Sequence, residues 1–65
     1  MPPKIRELIA ELEAAGFENR GGKGSHRNYI DAKSDVRVTV SGRLGDDAQR
    51  YQVKQVTIAI EKAKS

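Results

Sequence analysis

The sequence predicts an α+β fold of order α-β-β-β-α: a three-stranded antiparallel sheet with two helices on one of its faces. Three observations carry this. Ile5, Leu8, Ile9 and Leu12 recur at i, i+3, i+4, i+7, the apolar stripe of an amphipathic helix. Val36, Val38 and Val40 alternate with Arg37 and Thr39, the period of a strand with one buried face. Val53, Val56 and Ile60 then return to helical spacing, with Ala59 and Ala63 alongside.

The first helix is expected over about residues 4–15. Pro3 suits a first helical turn, where its missing N–H is no loss, and Gly16 suits the stop, where a positive φ closes the helix. Phe17 to Gly21 reads as a short, weak strand with Phe17 in the core. Gly21–Ser25 is a loop, and His26 to Asp31 a second strand with Tyr29 and Ile30 as its apolar members. Asp31-Ala32-Lys33-Ser34-Asp35 is turn-rich and joins it to the valine strand as a hairpin. Ser41 to Ala48 is a loop by its Gly and Asp content, and Asp46 or Asp47 is expected to cap the second helix, over about 50–63. Loops this short make an antiparallel meander the simplest sheet. Each helix must bury its stripe on the valine face, leaving the other face polar and basic.

Sixty-five residues are expected to form a single domain, 1–65. The absence of cysteine excludes a disulfide framework and a thiolate zinc site, and one histidine argues against an imidazole metal site. No cofactor is expected. No apolar run approaches the roughly 18 residues of a membrane span, and the N-terminus lacks the apolar core of a secretory signal. The expected setting is cytoplasmic, without a membrane partner.

The net charge of +3 is less informative than its distribution. Residues 1–19 carry a net −2 and residues 44–65 a net +1. In residues 20–43, Arg20, Lys23, Arg27, Lys33, Arg37 and Arg43 outweigh Asp31 and Asp35 to leave +4. A focused positive surface favours a polyanion such as nucleic acid.

Within that basic third, Gly21-Gly22-Lys23-Gly24-Ser25 leads into His26, the single histidine. The stretch does not fit the Walker A spacing G-x-x-x-x-G-K-[ST]. Strand parity puts residues 26 and 29 on opposite faces; with Tyr29 inward, His26 points to the open face beside Asn28 and Ile30. Arg37 points away from the valine face and so toward it. An imidazole beside cations is suited to cutting RNA. The 2′-hydroxyl must lose a proton to attack the adjacent phosphorus, the leaving 5′-oxygen must gain one, and an ordinary imidazole titrates in the range that serves either step. His26 is therefore the candidate catalytic residue. Lys23, Arg27 and Arg37 are candidate phosphate contacts, and Gly24 and Ser25 offer a close backbone approach and a hydroxyl donor. A second proton-transfer group is not singled out; water, Lys23 or a carboxylate all fit. The competing readings are a flexible hairpin turn with a surface histidine, a non-catalytic RNA-binding module, and a scaffold that only binds a partner protein.

Ala15-Gly16-Phe17 at the end of a short helix, Lys23-Gly24-Ser25-His26, Tyr29 three residues on, and Val38-Thr39-Val40 resemble the HicA family of bacterial toxins. The resemblance runs along nearly the whole chain in order and spacing. It implies a small mRNA interferase with a fold like that of double-stranded-RNA-binding domains; with the acid/base chemistry placed on His26, cleavage is expected to need no metal. It puts the family's catalytic histidine on His26, with Gly24 and Ser25 as the preceding motif residues. It also implies a HicB-type antitoxin partner. The chain departs from the family pattern after the third strand, where Ser41-Gly42-Arg43 stands in place of a segment that in many relatives contains proline and histidine. No role for a second histidine carries over.

Overall fold

The computed structural model describes residues 2–64 and has the order α1 (Ile5–Ala14), β1 (Phe17–Asn19), β2 (Arg27–Asp31), β3 (Val36–Val40), α2 (Arg50–Lys64). The strands form one antiparallel sheet of order β1-β2-β3. In β2 and β3 the register pairs Tyr29 with Val38 and Asp31 with Val36, which sets Tyr29 and the valines on one face. Ile30 faces Arg37 on the other.

Both helical stripes close on the valine face. Ile5, Leu8, Leu12, Phe17, Tyr29, Val40, Val56 and Ala59 are all buried, with Val36, Val38 and Ile60 packed against them. Each large aliphatic buried this way contributes roughly 1.5–3 kcal/mol. Asp31 is buried as well and accepts from the Ser34 hydroxyl at 2.7 Å, which stitches the β2–β3 turn. In that turn Asp35 takes a φ of 61° and its N–H donates to the Asp31 carbonyl at 2.7 Å.

Gly16 ends α1 as expected, with a φ of 100° and its N–H donating to the Glu13 carbonyl. The start of α1 differs from expectation. Pro3 lies outside the helix, and Lys4, its N-cap, makes no side-chain cap. The β3–α2 loop caps it instead: the N–H groups of Ile5 and Arg6 donate to the carbonyls of Asp46 and Leu44, at 2.9 and 3.1 Å. Ala48 N–H returns a bond to the Pro3 carbonyl at 2.8 Å, and Lys4 Nζ pairs with Asp47 at 2.6 Å.

The cap of α2 is also not the expected one. Asp47 is committed to Lys4, and Asp46 accepts from Arg43 N–H. Gln52, in the first turn of α2, reaches back to accept from Gln49 N–H at 2.8 Å. That is the glutamine half of a capping box, and the buried side chain holds it.

Two strand boundaries are shorter than the sequence suggests. β1 stops at Asn19, whose side chain accepts from Gly21 N–H at 2.8 Å and turns the chain. β2 starts at Arg27, so His26 falls outside it. The alternation that put His26 on the open face therefore does not reach it.

Candidate functional site

The loop between β1 and β2 is closed by paired backbone bonds. Arg20 N–H donates to the Asn28 carbonyl at 2.7 Å and Asn28 N–H to that of Gly21 at 3.0 Å. At the tip, His26 N–H donates to the Lys23 carbonyl at 3.0 Å. Gly24 has a φ of 58° whereas Ser25 is not in the positive range, the signs of a type II′ turn with glycine at its first central position. Gly22 serves a different need. A Cβ there would run into the His26 carbonyl, so only glycine lets the loop fold back on itself.

Arg27 ties this loop to the rest of the fold. Its Nη1 donates to the Ser25 carbonyl at 3.0 Å and to the Gly42 carbonyl at 2.9 Å. The Lys23–His26 turn is thereby fixed to the end of β3. Gln52 Nε2 donates to the Ser41 carbonyl at 2.7 Å and fixes the same point to α2. Gly42 lies beside Ile5 at the start of α1, where an added Cβ would meet the Ile5 side chain at 3.4 Å. The end of β3 is thus the junction of the His26 loop and both helix starts.

His26 is exposed and lines a depression of about 320 Å³ at this junction. Ser25 lines it from the same loop, Ser41 and Gly42 from the end of β3, Asp46 and Asp47 from the next loop, and Tyr51 from α2. His26 does not stand on the open sheet face, and its surroundings are not uniformly cationic. Lys23 and Gly24 belong to its own turn, whereas two carboxylates border the same depression.

Arg37 is elsewhere. Arg27 pairs with Val40, and Arg37 lies three residues back along β3, about 10 Å at the usual strand rise. It sits at a groove on the open face with Arg20, Asn28 and Thr39, and contacts Asp35 at 3.5 Å. The structure therefore gathers Lys23, Gly24, Ser25, Arg27 and His26 and separates Arg37 from them. Nothing in the spacing of β3 could have shown this once the start of β2 was placed at His26.

Tyr51, Gln52, Asp46 and Asp47 were missed as site residues. Tyr51 had a signal, an aromatic off the Val53–Val56–Ile60 stripe with no core to enter. Asp46 and Asp47 had none, because only the stitching of their loop onto α1 brings them here. Among the described residues no group of three or more His, Asp or Glu side chains gathers closely enough to hold a metal ion. No described helix is long and apolar enough to cross a membrane.

Among curated proteins, none matches this chain. The family model described as "HicA toxin of bacterial toxin-antitoxin" matches residues 5–64, from the first residue of α1 to the last of α2. The match takes in the His26 loop, the sheet and both helices together, and the chain belongs to the HicA toxin family of bacterial toxin–antitoxin systems.

Proposed function

We propose that the protein is an endoribonuclease toxin that cleaves mRNA by histidine acid/base catalysis, acts in the cytoplasm and is neutralised by a HicB-type antitoxin. The observation that carries this reading is the exposed His26, held by a glycine turn and lining an open depression of about 320 Å³. Family membership and a sheet carrying both helices on one face, as expected of a double-stranded-RNA-binding-domain-like fold, support it.

In the proposed reaction His26 takes the proton of a ribose 2′-hydroxyl. The 2′-oxygen bonds to the adjacent phosphorus, the bond to the 5′-oxygen breaks, and that oxygen receives a proton. The products are a 2′,3′-cyclic phosphate and a 5′-hydroxyl. Lys23 and the backbone at Gly24 and Ser25 meet the phosphate, and negative charge building on its oxygens is stabilised there. Arg27 acts through the loop it holds, with Nη1 already bonded to two carbonyls. Arg37 is a more distant contact for the RNA backbone.

Purified wild type and His26→Ala are incubated with a labelled transcript in EDTA. His26→Ala is expected to lose cleavage about 10²–10⁴-fold, the usual worth of positioned proton transfer, with an unchanged circular dichroism spectrum. Equal cleavage by the two proteins would refute the assignment, and a strict need for added divalent metal would refute the metal-free route.

One observation favours a second reading. Arg20 and Arg37 share a groove on the open sheet face, apart from His26. A non-catalytic RNA-binding module would use it, return RNA intact, and depend on Arg37 more than on His26.

A further inference from the structure

We propose that Tyr51 is a base-stacking residue, which makes the substrate single-stranded RNA: a base next to the cleaved bond lies on the Tyr51 ring while its phosphate meets the His26 turn. This rests on reading RNA as the ligand of the depression.

The chain has three aromatic side chains, Phe17, Tyr29 and Tyr51. Phe17 and Tyr29 are 3% and 2% exposed and belong to the core, whereas Tyr51 is 56% exposed. Its apolar ring is left to water on the second residue of α2, at the depression that His26 lines. The ring's mount is rigid. The next residue, Gln52, is buried and bonded both to Gln49 N–H and to the Ser41 carbonyl, so the first turn of α2 is locked to the end of β3. Arg27 locks the His26 turn to the same place through Gly42. The backbone segments that carry the ring and the imidazole are therefore both held to the end of β3.

Charge orients what enters between them. Asp46 and Asp47 border the depression; with Asp47 paired to Lys4, Asp46 is the carboxylate left to repel a phosphate, while Lys23 belongs to the turn that carries His26. The phosphate is drawn to the turn, and the uncharged base falls on the Tyr51 side, where a carboxylate accepts from an exocyclic amine. A base in a duplex already has both faces covered by its neighbours, so only an unpaired, splayed base has a face to offer the ring.

Affinity is measured in a His26→Ala background, so that it is read without cleavage, with a short labelled single-stranded RNA in EDTA. Adding Tyr51→Ala is expected to weaken binding about 5- to 150-fold, the range for stacking one base on an aromatic ring. Tyr51→Phe and Tyr51→Trp are expected to retain it. The introduced tryptophan is the sole one in the chain, and its fluorescence is expected to be quenched by the single strand and not by the same strand annealed to its complement. Circular dichroism of Tyr51→Ala is expected to match the parent, since the ring is not in the core. Unchanged affinity of Tyr51→Ala, failure of Tyr51→Phe to bind, equal quenching by the duplex, or no RNA binding by the parent would each overturn the proposal. The nuclease reading is judged separately, by whether wild type cleaves and His26→Ala does not.

Discussion

Gly22 lies against the carbonyl of His26 so closely that no side chain fits between them. Five residues before strand β2, the chain crosses its own path at the residue proposed to move protons. The neighbouring glycines are not equivalent to it. A Cβ at Gly24 meets nothing, although its φ of 58° is one that L-residues adopt only at a cost.

Gly22→Ala is accordingly expected to displace His26 and abolish RNA cleavage, with the core intact by thermal melting. Gly24→Ala is expected to cost about 1–2 kcal/mol for its left-handed backbone and to keep most activity. Parallel cleavage assays and melts of the two variants check this; equal loss of activity would contradict the distinction.

Lys23 and Arg27 are both cations of the loop, but they are expected to fail differently. Arg27→Ala removes the bonds to Ser25 and Gly42 and is expected to lower stability by about 1–3 kcal/mol, measured by urea unfolding. Lys23→Ala is expected to leave stability within about 0.5 kcal/mol and to reduce the salt slope of RNA binding by about one. A reduced slope for Arg27→Ala without loss of stability would make Arg27 a direct phosphate contact.

Gln52 joins the first turn of α2 to the end of β3. Gln52→Ala is expected to cost about 1–3 kcal/mol, since it leaves Gln49 N–H and the Ser41 carbonyl without their partner. Gln52→Glu keeps the acceptor for Gln49 and loses the donor to Ser41, so it is expected to fall between wild type and alanine. Hydrogen exchange at residues 49–53 reads the effect, and unchanged protection in Gln52→Ala would rule out the clamp.

Tyr29 gives the fold a pH dependence. Burial raises its phenol above the ordinary value of 10.0; the charge of Glu13 adds to the shift and Arg27 opposes it. The folded state therefore keeps a proton that the unfolded chain gives up first. The stabilisation is complete below the unfolded value and is lost as pH rises through the folded one. Urea midpoints are expected to decline from about pH 10 upward. Tyr29→Phe is expected to remove that part of the slope, and an identical slope in the variant would show that other groups produce it.

The order of elements and the apolar stripes that supply most of the core are legible in local pattern, whereas the burial of Asp31, Ala48 and Gln52 is not. The stripes at Ile5, Leu8 and Leu12 and at Val53, Val56 and Ile60, and the alternation at Val36, Val38 and Val40, are local consequences of helical and strand periods, readable without knowing what packs against what. Gly16 at the end of α1 and the turn after Asp31 were legible for the same reason: backbone geometry demands particular residues there. His26 and the glycine turn beside it also stood out from composition alone. Tertiary structure decided the company His26 keeps. β2 starts one residue later than its apolar pattern suggests, so strand parity never reaches the imidazole and Arg37 is left on another surface. Asp46 and Asp47 come to the depression because the bare N–H groups at the start of α1 take carbonyls from their loop. Tyr51 arrives because Gln52 clamps α2 to Ser41. These are hydrogen bonds between residues 11 to 41 positions apart. They leave no local pattern, because they satisfy backbone and side-chain groups that become neighbours only once the helices have closed on the sheet.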